Sequence, residues 1–182
     1  RYPKWALLIT MCTLLQPRSR SKELIVTFPD IGQGGAALVE HVDGRIWLID
    51  GGPPGKKLLF WLRRKGIRKI DTLFLTHPDS DHLGGLIPVL EFLEVGTVWT
   101  SRKPTSEEIQ FRHFWRVATE RGSDLQVMMD TASGNKNENS LVIQLRHGLH
   151  RFLLTGDIGV RTESKMLPHL QHHTVVQVPH HG

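Results

Sequence analysis

The stretch THPDSDH places His77, Asp79, Asp81 and His82 within six positions, directly behind the hydrocarbon run Ile70–Leu75. Imidazole nitrogens and carboxylate oxygens gathered at the end of a buried segment are the donor set of a divalent-metal site. Two other strand-like runs end in the same chemistry. One is LLTGD, ending at Asp157, and the other is VPHH, ending at His180 and His181. Taken alone, Gly-Asp is a turn, His-His is surface polarity, and Asp81 is a helix cap. Together they place ligand residues at three strand ends, where α/β folds display their chemistry. Burying four titratable groups without partners would cost on the order of several kcal/mol, and a bound cation removes that cost. Alternation lets His77, Asp79 and Asp81 line one side of the loop, and a tight turn brings His82 beside them. Such a loop holds two cations if Asp157 bridges them.

The elements that must position these groups are legible from local pattern. Glu23–Phe28 reads as a strand, followed by the glycine-rich turn PDIGQGGA. ALVEHV and RIWLID read as strands joined by a two-residue hairpin at Asp43-Gly44. Leu58, Leu59 and Leu62 lie at helical spacing within Lys56–Lys65. Ile70–Leu75 is a buried strand, LIPVLEFL a short helix and VGTVWT a strand. Thr105 and Glu108 have the spacing of a capping box, predicting a helix from there to about Arg121. The strand DLQVMM and the loop TASGNKNEN follow. SLVIQLRH and HRFLLT pair around Gly148, then come a helix near Val160–Leu170 and the strand TVVQVP. Hairpins come first and mixed strands and helices later, which predicts an α/β layered sandwich and not a Rossmann sheet.

The chain has 182 residues, a net charge of +5 and 11 histidines. The length suits one domain with a substantial core. The charge favours polyanionic partners only weakly. Cys12 stands alone, so an intrachain disulfide is excluded. The apolar segment Trp5–Leu15 is shorter than the roughly 20 residues a membrane-spanning helix needs. It reads as the end of such a helix, with a basic linker after it. On this reading residues 1–23 are a membrane-segment end plus linker, and 24–182 are the domain.

In combination and in order, THPDSDHLGG, DIGQGGAALVE, WLIDGG, LLTGDI and VPHHG resemble the ComEC family of DNA-internalisation competence proteins. Within those proteins they resemble the C-terminal metallo-β-lactamase-like domain. The resemblance runs from Leu24 to Gly182. It implies a four-layer αββα sandwich, C-terminally incomplete because the family domain continues past HHG. It also implies two divalent ions, with Mn²⁺ favoured and Zn²⁺ possible. His77 and Asp79 would hold one ion, and Asp81, His82 and one of His180 or His181 the other, with Asp157 bridging. Asp79 stands where most of the wider superfamily has histidine. Asn137, or less closely Asn139, stands in place of the missing third histidine of the first site. Asp50 would support the metal loop, and Asp30 and Gln33 would border the site. Family members often carry aspartate where this chain has Gly35.

The implied function is a metal-dependent phosphodiesterase of a DNA-uptake channel, degrading the strand that is not imported. Asp81 and Asp157 would orient a metal-held hydroxide for in-line attack on phosphorus. The implied partners are DNA, the channel part of the same parent chain, and the bacterial inner membrane, with this domain on its outer side. The alternatives are a non-catalytic DNA-binding or structural appendage, or a metallo-hydrolase of another ester class. The basic run RRKGIRK (Arg63–Lys69) reads either as a solvated helix end or as a steering patch for polyanion. Trp99, Phe111, Phe114 and Trp115 read as core or as base-stacking rings.

Overall fold

The computed structural model describes residues 23–128, 137–170 and 172–179. Six strands form the first sheet in chain order: β1 (Ile25–Thr27), β2 (Ala37–Glu40), β3 (Ile46–Ile49), β4 (Lys69–Leu75), β5 (Glu94–Thr100) and β6 (Asp124–Val127). The first two pairings are antiparallel and the last three parallel. The second sheet holds β7 (Ile143–His147), β8 (His150–Leu154) and β9 (Val175–Val176), with β7–β8 antiparallel and β8–β9 parallel.

The two-residue period of a strand sorts side chains into two cores. Leu38 and Leu48 face one way, toward the helices, and join Leu73 and Leu75 there. Ala37, Val39 and Ile49 face the other way and meet Leu145 and Leu154 of the second sheet. Alternation slips by one residue where β4 and β5 run side by side. Ile70 and Leu73 share the helix-side core, as do Val95 and Val98. A Cβ at Gly96 would lie 2.8 Å from the Asp71 carbonyl oxygen, so glycine permits the close approach at this slip.

Helix α1 (Lys57–Arg64) buries Leu58, Leu59 and Leu62. After the four-residue α2 (Ser80–Leu83), α3 (Leu86–Phe92) buries Leu86, Val89 and Leu90. Helix α4 (Ile109–Glu120) adds Phe111, Phe114, Val117 and Ala118. These helices cover the outer face of the first sheet. On the far side, α5 (Val160–Met166) flanks a cleft that Leu153 and Val176 of the second sheet also line. The layers are therefore helix, sheet, sheet, helix, as the resemblance implies.

Three local expectations change. The DG hairpin closes on a His41–Arg45 pair, leaving a three-residue loop, because Asp43 turns back to bond the Arg45 backbone and guanidinium. Thr105 does not cap α4, which starts at Ile109. Glu108 instead takes a two-pronged ion pair with Arg102, at 2.6 Å for each arm, and also accepts bonds from Thr105. The run Val160–Leu170 is α-helical only to Met166, then tightens to a 3-10 turn at Leu167–His169, where Pro168 has no N–H to continue the ladder.

The Arg102–Glu108 pair gives a pH prediction. The hydrogen bonds from Arg102 hold the Glu108 carboxyl down at about 2, against an ordinary 4.5. Because the folded pKa is depressed, the stabilisation is complete above pH 4.5 and is lost as pH falls through 2. With Glu108 only 13% exposed, the contribution is on the order of 2 kcal/mol. Urea unfolding should show Glu108→Gln less stable than wild type at pH 7, with the gap closing as the pH falls toward 2. A gap that stays constant over that range would count against the pair.

Candidate metal centre

The parallel strands point their C-terminal ends at one edge of the sheet, and the metal loop starts there. β4 delivers Thr76 and His77 fully into the interior, and the chain then turns into α2 at Ser80. That helical turn corrects the expected alternation. Beyond Asp79 the period is no longer two, so Asp81 does not continue the His77–Asp79 row. Asp81 instead receives the Gly35 N–H on its backbone carbonyl at 3.2 Å.

Among the described residues, three side chains bring ligand atoms within 4.8 Å of one another: His77, His82 and Asp157. All three are buried. His82 Nε2 lies 3.3 Å from Asp157 Oδ1, and His77 Nε2 lies 3.8 Å from Asp157 Oδ2 and 3.6 Å from Asp79 Oδ2. The two imidazole rings sit 4.2 Å apart.

The other nitrogen of each ring is already engaged. Asp50 accepts from the Thr76 N–H at 2.8 Å, from the Thr76 hydroxyl at 2.7 Å and from His82 Nδ1 at 2.8 Å. Because the Thr76 hydroxyl donates to Asp50, its lone pair is left to accept from His77 Nδ1 at 3.1 Å. That chain fixes the His77 proton on Nδ1 and leaves the Nε2 lone pair pointing at the cluster. Among the described residues His77 Nε2 has no hydrogen-bond partner, although it is buried. Imidazoles tied through one nitrogen to an oxygen acceptor, with the other aimed at shared carboxylates, are arranged as metal ligands. The residues present therefore fit a divalent ion.

The electrostatics agree. Burial pushes His77 below its ordinary value, helped by the charge of His82, so it stays neutral as a ligand must. Burial also opposes charge on His82, but hydrogen bonds and charge from Asp157 and Asp50 overcome it and raise the group to about 10. The field of these carboxylates at His82 favours positive charge. The same field favours a cation.

Backbone contacts lock the loop in place. Asp50 adopts φ +56, a left-handed conformation that aspartate tolerates, and its N–H bonds the Phe74 carbonyl at 2.8 Å. Gly51 donates to the His82 carbonyl at 2.7 Å, and Gly52 to the Gly35 carbonyl at 2.8 Å. A Cβ at Gly35 would fall 2.7 Å from His82 Cε1, so the loop backbone lies directly against the imidazole. An aspartate at this position would force the ring to move, and glycine suits the arrangement.

Three supporting groups were not anticipated from the sequence. Thr76 is the hub between Asp50 and His77, and its carbonyl also accepts the Leu141 N–H at 2.8 Å. Glu138 bonds the Thr162 N–H at 2.9 Å and the Thr162 hydroxyl, tying the start of α5 just beyond Asp157. Ser140 is buried against Gly156. Only Thr76 carried a signal, being a polar residue between a buried strand and His77.

Other expected site residues fall as follows. Asn137 and Asn139 are half-buried in a 3-10 turn (Asn137–Asn139), which leads through Ser140 to the Leu141–Thr76 bond. Asp30 has a 96% exposed side chain and meets Lys57 at 3.4 Å, so it contributes surface charge, and Gln33 is exposed. His180 and His181 lie outside the described residues, as does Trp5–Leu15. No helix among the described residues is long and apolar enough to cross a membrane.

The basic run is not at this edge. Lys69 opens β4 and Leu75 closes it, so Arg63–Lys69 lies roughly 20 Å from the metal loop, at the opposite strand ends. Lys65 pairs with Glu40 and Lys69 with Glu94, while Arg63 covers the Phe92 ring. Phe111 and Phe114 are core.

A helix–sheet–sheet–helix sandwich with histidines and aspartates at one sheet edge defines a class of metal-dependent hydrolases. The profile of the Metallo-beta-lactamase superfamily matches residues 29–178, and the chain belongs to that superfamily. Two relatives agree with the ComEC-type resemblance read from the motifs. "Recombination protein 2" of Haemophilus influenzae is 31% identical over 84% of this chain and 21% of its own length. "ComE operon protein 3" of Bacillus subtilis is 30% identical over 89% of this chain and 26% of its own. The chain thus spans about a quarter of the length of these relatives. The fold implies binding of divalent metal.

Proposed function

We propose that this chain is the metal-dependent phosphodiesterase domain of a DNA-uptake protein and hydrolyses the DNA strand that is not imported. The observation that carries the reading is the buried His77–His82–Asp157 cluster, backed by Asp50 and Thr76. Divalent ions in such a site supply Lewis-acid stabilisation of a phosphoryl oxygen and an activated water. The residues of this chain hold, orient and exclude. His77, Asp79 and Asp157 present one nitrogen and several oxygens, and Asn137 would be a further oxygen donor. His82 and Asp157, with Asp81 and His180 or His181, supply a second set. Asp50 keeps the His82 ring in register, and Thr76 sets the His77 tautomer. The competence-type relatives support DNA as the substrate, and the motif resemblance implies the outer side of the bacterial inner membrane as location. The channel is then the rest of the parent chain, anchored through residues 1–23.

The donor set is oxygen-rich, which suits Mn²⁺ activity even though Zn²⁺ has the higher intrinsic affinity. Metal-stripped protein reconstituted with each ion should cleave single-stranded DNA faster with Mn²⁺ than with Zn²⁺. Asp79→His replaces a carboxylate whose Oδ2 lies 3.6 Å from His77 Nε2 by a nitrogen donor and should move the preference toward Zn²⁺. Highest wild-type activity with Zn²⁺, together with an unchanged ranking in Asp79→His, would defeat the assignment.

A further inference from the structure

We propose that a nucleic-acid strand leaves the metal centre along α4 and is held by a second site there, with its phosphates on Arg112 and Arg116 and a base against Trp115. This rests on the phosphodiesterase reading for the identity of the polymer, but not for the existence of the site.

The first observation is topological. Leu75 at the end of β4 pairs in register with Thr100 at the end of β5. The segment between β5 and α4 therefore emerges at the same sheet edge as the metal loop. The second is a pair of adjoining depressions. A cleft of roughly 280 Å³ is lined by Asp79 and Ser80 of the metal loop and by Glu107 to Phe111 at the start of α4. A larger one, roughly 720 Å³, continues along α4 between Pro104–Ser106 and Arg112, His113, Trp115 and Arg116. Ile109 lines both and is 80% exposed, so the two clefts meet over an apolar sill.

The third observation is the chemistry of the larger cleft. It holds two guanidinium groups, an imidazole and an indole, and none of its lining residues is acidic. Arg112 is braced by the Ser106 carbonyl at 3.0 Å, and Arg116 by His113 at 3.0 Å. Trp115 is packed edge-on against Phe111, which steadies the indole. Fixed cations beside an aromatic wall are what a flexible single strand requires, since the charges track phosphates and the ring takes any base. The acidic groups nearby are Glu107, Glu108 and Glu120. Glu108 is neutralised by Arg102, and Glu120 reaches Arg116 only at 3.9 Å. Glu107 is exposed at the sill, and a strand would pass it and Asp79 before it reaches the arginines. With one site at the metal loop and a second along α4, the preferred ligand is an oligonucleotide and not a small phosphodiester.

The test is binding of fluorescently labelled single strands of four and twelve nucleotides to metal-stripped protein, measured against salt. We expect the longer strand to bind at least about tenfold tighter. Arg112→Gln/Arg116→Gln should cost about tenfold in affinity for the longer strand and flatten the log-log salt slope by about 1.4, the value for two lost phosphate contacts on a single strand. Trp115→Leu should abolish oligonucleotide-induced quenching of tryptophan fluorescence. Hydrolysis of a small chromogenic phosphodiester should be unchanged in all variants. Arg116→Glu alone, at a 64% exposed side chain, serves if the double variant fails to fold. Equal binding of both strand lengths, or an unchanged salt slope in the arginine variants, overturns the second site. If wild type cleaves no phosphodiester with any metal, the phosphodiesterase reading fails separately, and the binding measurements still decide the cleft.

Discussion

Asp157→Ala should lower metal-dependent hydrolysis by more than about 100-fold while leaving the fold largely intact. Groups that merely orient a metal ligand cost about 10–100-fold when removed, and Asp157 is placed to be a ligand itself. Its two oxygens face different histidines, at 3.3 Å and 3.8 Å, so one substitution disturbs both halves of the cluster. The scaffold does not depend on it in the same way. Asp157 stands just beyond β8, and His82 keeps its bond to Asp50 when Asp157 is lost. Metal content by elemental analysis should fall together with activity, and circular dichroism should not change. Full activity in this variant, with metal retained, would remove Asp157 from the centre.

Asp50→Ala should have the largest effect on stability, about 3–5 kcal/mol. The carboxylate serves three partners in a site only 2% exposed. Without it the Thr76 N–H, the Thr76 hydroxyl and His82 Nδ1 lose their shared acceptor in the interior, the situation that makes breaking a buried charged pair so costly. For a chain of this size the melting temperature should drop by about 10 °C. Alanine at φ +56 adds backbone strain of its own, so Asp50→Asn is the necessary control. Asparagine tolerates the left-handed conformation and retains one acceptor oxygen. It should fall between wild type and alanine in stability and should weaken metal binding about 10–100-fold, because the His82 ring loses its orienting carboxylate. A melting temperature for Asp50→Ala within 2–3 °C of wild type would show that the network contributes far less than its burial implies.

Much of the scaffold was legible because its signals are local. The buried run Ile70–Leu75, the leucine spacing in α1 and the apolar pair around Gly148 each name an element from a few residues. Errors arose where a local signal had a distant competitor. The Thr105–Glu108 spacing is that of a cap, but Arg102 recruits the Glu108 carboxylate from outside the pattern. Asp43-Gly44 favours a two-residue turn, but the Asp43 carboxylate bonds Arg45 and the loop lengthens. The row His77, Asp79, Asp81 assumed an extended chain, and the helical turn at Ser80 ends it.

By itself the sequence determined the element types and the donor set, because backbone propensity, apolar period and side-chain chemistry are properties of neighbours along the chain. His77, His82 and Asp157 could be named for that reason, and Asp50 only through the motif resemblance. Which donors converge was decided only by tertiary structure. Parallel pairing brings the ends of β4 and β5 to one edge, and a second sheet carries Asp157 to it. Thr76 became a hub, and Gly35 a contact for the His82 ring, through approaches of segments tens of residues apart. No period or motif encodes such distances, which follow from packing two sheets and a helical layer into one volume.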